Sequence, residues 1–142
     1  TFEGDMTSKN ISQNNIDLII NHTLQAAFVS TITNHLPLGI SVSIHLGGNP
    51  QTLRDSPQLV IGPIDLAPGV VGTGNMVRTA TETENTTTLD SVDMKVFANT
   101  TLYALPVIDI AGSDGQIVRI TGNDYVSIRS TVNIEYEVDD SY

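Results

Sequence analysis

From Val126 to Val138 the chain alternates strictly. Val126, Ile128, Ser130, Val132, Ile134, Tyr136 and Val138 fall on one side, and Ser127, Arg129, Thr131, Asn133, Glu135 and Glu137 on the other. A period of two predicts a strand with one face in a core and one in water. Thirteen such residues would span ~43 Å if straight. The strand is therefore expected either to bend between two sheets or to border a second long strand. An insertion inside it would turn its apolar set to solvent.

The same period recurs upstream. Ile40, Val42, Ile44 and Leu46 alternate with Ser41, Ser43 and His45, and Ala26, Phe28 and Ile32 share a face. Ile16 to Leu24, apolar-rich and free of Pro and Gly, reads as a strand leading into that segment. Asn34 to Gly39 reads as a turn, with Pro37 fixing φ and Gly39 permitting unusual ones. Leu59-Val60-Ile61 starts a further short strand, and the Gly- and Pro-interrupted stretch after it, Ile64 to Val71, reads as an edge segment. Val77 to Leu89 is Thr-rich and polar, so it is either an exposed loop or an edge strand. Val92, Met94 and Val96 alternate as a strand would, and Leu102 to Ile110 is a strand in which Pro106 implies an edge or a bulge. Gly112-Ser113-Asp114-Gly115 has hairpin chemistry and predicts a return strand over Ile117, Val118 and Ile120. Helix signals are nearly absent.

These elements predict an all-β fold: an antiparallel two-sheet β-sandwich, Ig-like or jelly-roll-like, of about seven to nine strands. Residues 16–142 are expected to form the single sandwich domain. Residues 1–15, polar with isolated Phe2, Met6 and Ile11, are expected to form an arm that is flexible or pairs with a neighbouring subunit through those three side chains.

Composition narrows the chemistry. The chain of 142 residues has no Cys, which excludes disulfides and thiolate sites. Sixteen acidic residues against six basic ones give a net charge of -10, a field that repels nucleic-acid phosphates. No stretch approaches the ~20 apolar residues of a membrane span. Sequons at Asn10, Asn21, Asn85 and Asn99 are glycosylation candidates and, with few lysines and no Cys, point to an extracellular or cell-surface location.

Candidate chemistry is sparse. His22, His35 and His45 lack zinc-motif spacing. No Gly-x-Ser-x-Gly elbow is present, and the Gly69–Gly74 run precedes a strand rather than the helix a phosphate loop needs. Turn carboxylates Asp109, Asp114, Asp124, Asp139 and Asp140 are candidate Ca²⁺ ligands, although Asp and Asn are also ordinary turn formers. With no Trp, a sugar platform would rest on Tyr103, Tyr125 and Tyr142.

The expectation is a non-enzymatic extracellular structural protein that needs no cofactor beyond optional Ca²⁺ and takes copies of itself as partners. Edge-strand pairing would assemble it into a filament, tube or surface layer. In general composition it resembles secreted β-sandwich subunits of prokaryotic surface fibres. The alternatives are a carbohydrate- or ligand-binding module of a larger surface protein and a viral capsid or decoration component.

Overall fold

The computed structural model describes residues 1–113 and 115–137. Ten strands are present among them: β1 (Phe2–Glu3), β2 (Thr7–Asn10), β3 (Thr23–Asn34), β4 (Gly39–Gly47), β5 (Leu59–Leu66), β6 (Val70–Val71), β7 (Val77–Thr79), β8 (Thr81–Leu89), β9 (Thr101–Gly112) and β10 (Val126–Tyr136). The two large sheets are antiparallel throughout. One has the order β1-β9-β4-β5 with β2 also on β9; the other has the order β10-β3-β8. β6 and β7 form a small separate ribbon.

The alternating segments became strands for the reason their pattern gives. Ala26, Phe28, Ile32, Ile40, Val42, Ile44 and Leu46 are all buried and meet in one cluster between the sheets. The Thr-rich segment is the edge strand β8, with Thr81, Thr83, Asn85 and Thr87 half-buried and the Glu residues exposed. The long C-terminal strand borders a second long one, β3, from Val126 opposite Asn34 to Tyr136 opposite Thr23. Val138, which the sequence pattern adds to it, lies outside the described residues.

β3 and β4 lie in different sheets, so the turn between them crosses the core. Asn34, fully buried, holds this crossing. Its Nδ2 donates to the carbonyls of Leu38 (2.9 Å) and Ala67 (3.0 Å), and its Oδ1 accepts from the Leu36 amide (2.9 Å). Three backbone groups that would otherwise be stranded are satisfied by one side chain.

Three sequence expectations are corrected. First, the segment read as a strand from Ile16 is helix α1 (Gln13–His22). Ser12 caps it by accepting from the Asn15 amide, and Ile16 and Ile19, three apart, are its buried face. Isoleucines at 16, 19 and 20 with Leu18 satisfy both a strand and a helix pattern, and contact with the core and with residues 93–98 selects the helix.

Second, Asp93–Ala98 is a 3-10 helix rather than a strand. Asp90 and Asp93 cap each other: the Asp93 amide donates to Asp90 Oδ1 (2.8 Å) and the Asp90 amide to Asp93 Oδ2 (3.1 Å). This reciprocal pairing satisfies two end donors, and Met94, Val96 and Phe97 are buried. Val92, expected on their face, is 68% exposed.

Third, among the described residues no hairpin strand returns along β9. Residues 116–120 have no regular structure, and Ile117 is 84% exposed. β9 already has β4 on one flank and the N-terminal segment on the other, so it offers no edge to a return strand. The chain crosses instead to the opposite sheet, tied midway by the Arg119 amide donating to the Asn75 carbonyl (2.8 Å). The strand number, ten with the short elements counted, also exceeds the seven to nine expected.

Candidate functional site

The two sheets diverge along one side, leaving a groove of about 780 Å³ between them. One wall is β10, presenting Val126, Ile128, Val132 and Ile134; the other is β9, presenting Leu102, Ala104 and Ile108. Phe28 and Phe97 also line it. The β10 residues are only half-buried, because among the described residues no strand covers them from the side. The groove joins two sheet edges that the chain treats differently.

The β9 edge is covered by the N-terminal arm. Phe2 lies opposite Ile108, and Thr7 to Asn10 lie opposite Ala104 to Thr101. Between these two short strands the arm leaves the ladder where its partner is Pro106, which has no N–H to satisfy. The Pro106 carbonyl still accepts from the Gly4 amide at 2.9 Å. A Cβ on residue 4 would stand 3.2 Å from Pro106 Cγ, so a glycine permits this close approach. Arg54 Nε donates to Glu3 Oε2 (2.6 Å), fastening the arm to the loop after β4.

Phe2, Met6 and Ile11, the expected assembly contacts, are thus distributed along the chain's own sheet. Phe2 is 43% exposed, Met6 is half-buried, and Ile11 packs against the core with its amide donating to the Thr100 carbonyl (2.8 Å).

The β10 edge is bare. Among the described residues nothing pairs with its outer side over its eleven residues. The His35 amide donates to the Tyr125 carbonyl and the Glu137 amide to the His22 carbonyl, so odd-numbered residues of this strand aim their backbone groups at β3. By alternation, the N–H and C=O groups of Ile128, Ser130, Val132, Ile134 and Tyr136 point outward. The strand contains no Pro or Lys, residues that usually blunt an edge, and its two charged residues, Arg129 and Glu135, are of opposite sign.

Among the described residues, the candidate calcium carboxylates Asp109 and Asp124 do not come together. Asp124, its side chain only 3% exposed, accepts from His35 Nδ1 (3.0 Å) and from the Thr121 amide (2.8 Å). Both oxygens are thereby engaged in fixing the turn that leads into β10. Asp109 is exposed on β9 and accepts from the Thr1 hydroxyl. Asp114, Asp139 and Asp140 lie outside the described residues. Among the described residues no three His, Asp or Glu side chains come together as metal ligands would.

The sequons differ in accessibility. Asn10 and Asn21 are exposed. Asn85 is half-buried on the inner side of β8 and donates to Thr87 Oγ1 (3.1 Å). Asn99 spends its Nδ2 on Gln58 Oε1 (2.8 Å) and the Val96 carbonyl (2.6 Å). Of the tyrosines proposed for sugar stacking, Tyr125 already stacks on His35 at 4.9 Å, Tyr103 is half-buried, and Tyr142 lies outside the described residues. His45 Nδ1 donates to the carbonyl of Leu53 (2.9 Å), itself buried in the loop after β4.

Compared with protein-family models, curated proteins and solved structures, the chain matches none significantly. Among the described residues no helix is long and apolar enough to cross a membrane. The reading of this site therefore rests on its geometry.

Proposed function

We propose that the chain is a non-enzymatic structural subunit, built for an extracellular or cell-surface setting, whose copies assemble by edge-strand pairing into a filament, tube or layer. The observation that carries this reading is the eleven-residue outer edge of β10, unpaired among the described residues and without Pro or Lys. Such an edge is a template for another strand. The half-buried apolar side chains next to it would gain burial when the strand arrives, adding a non-directional term to the hydrogen bonds. Ca²⁺ at the acidic rims would lower the repulsion that a net charge of -10 sets between copies.

Light scattering and negative-stain microscopy of the purified chain over a concentration series, with and without Ca²⁺, test the proposal. Concentration-dependent growth to ordered particles is expected. A strict monomer at millimolar concentration in both conditions overturns it.

The groove itself favours a second reading, a binding module for an apolar ligand. A chain that stays monomeric yet melts at higher temperature with a medium-chain fatty acid would belong to that class.

A further inference from the structure

The geometry points to a specific occupant for the bare edge: β10 of a second copy, antiparallel, centred on Val132 opposite Val132. This deepens the assembly reading and rests on it.

Two independent features of the strand select the arrangement. The first is hydrogen-bond parity. Ile128, Ser130, Val132, Ile134 and Tyr136 carry the outward backbone groups. Two-fold pairing about Val132 sets Val132 against itself, Ser130 against Ile134 and Ile128 against Tyr136. Every outward donor in the overlap then meets an outward acceptor, while the ladder to β3 is left intact.

The second is charge. β10 holds two charged residues, Arg129 and Glu135, three positions either side of Val132 on the solvent face. In this register, and in no other antiparallel one, Arg129 of each copy stands directly opposite Glu135 of the other. The symmetry makes two such pairs. They occupy the positions that do not exchange hydrogen bonds, where opposing side chains come closest. Among the described residues neither side chain has an ion-pair partner within its own chain. Shifting the centre to Thr131 preserves backbone parity but sets Arg129 against Asn133 and Glu135 against Ser127, so charge selects the register.

The result is a continuous six-stranded sheet, β8-β3-β10 running into β10-β3-β8 of the second copy. The mouths of both grooves flank the seam, and Ile128, Val132 and Tyr136 of each chain are covered by their counterparts. A two-fold contact of this kind closes on itself. It makes a dimer, and growth beyond the dimer would use sheet edges that remain among the described residues, such as β5 and β8.

The test is sedimentation equilibrium of the full chain and of Arg129→Glu, Glu135→Arg, their double variant, and Val132→Pro, with thermal melts of each as folding controls. Each single reversal should weaken dimerisation at least tenfold, and the double variant should restore it. Overall charge cannot mimic this, because Glu135→Arg brings the molecule closer to neutrality and would otherwise promote association. Val132→Pro removes an outward donor without touching the ladder to β3, and should abolish dimerisation while the variant still melts cooperatively.

Dimerisation indifferent to these changes overturns the β10 seam while leaving the assembly reading standing. Loss of association only on deleting residues 1–11 overturns it in favour of the arm as occupant. A wild-type chain that never associates overturns both readings.

Discussion

His35 Nδ1 donates to Oδ1 of Asp124 across 3.0 Å, joining residues 89 positions apart. The same aspartate accepts from the Thr121 amide, and the neighbouring Tyr125 stacks on the imidazole with an interplanar angle of 11°. This cluster fixes where β10 begins against the end of β3, and hence the register on which the bare edge depends. Replacing Asp124 by Ala should cost about 1–3 kcal/mol, since a shielded donor on each side loses its acceptor. Chemical denaturation, with unchanged slope and a lower midpoint, checks this.

Asn34 is fully buried and makes three hydrogen bonds to backbone groups. Asn34→Leu retains volume and strands the Leu36 amide and the carbonyls of Leu38 and Ala67. A loss of about 3 kcal/mol or more is expected, read as a fall in melting temperature. A variant as stable as the wild type would mean that water replaces all three bonds.

Ile32 and Val92 test the corrected inside-outside assignment. Ile32 is completely buried, so Ile32→Ala should destabilise by about 2–5 kcal/mol. Val92 is 68% exposed, and Val92→Ala should change stability by no more than about 0.5 kcal/mol. Equal losses would restore the strand reading of residues 92–96.

Asp90 caps the 3-10 helix that carries Met94 and Phe97 into the core. Asp90→Ala should cost about 0.5–2 kcal/mol and Asp90→Asn much less, because an amide oxygen can still accept from the Asp93 amide. Comparing the two melts separates the cap from the loss of charge.

The arm predicts a difference in protection. Hydrogen exchange at Gly4 and Ile11, bonded to Pro106 and Thr100, should be faster than at the core strands β3 and β4, because the arm is held by short, exposed ladders. Equal protection would show that the arm opens only with global unfolding.

Period-two patterning was sufficient by itself to place β3, β4 and β10 and the face each buries; it left β8 open between loop and edge strand and assigned β9 no face. A strand's side chains alternate whatever lies beyond it, and an apolar face must find a core. Where two periods fit the same residues, as at Ile16 and Ile19 or at Val92 to Val96, alternation could not decide. Those segments were settled by packing and by caps. Neighbours were illegible for a different reason. That the arm lies on β9 of its own chain, that His35 finds Asp124, and that β10 keeps its outer side free all depend on pairings between distant segments. Such pairings leave no periodic mark, because they are chosen by which edges the rest of the fold has already filled.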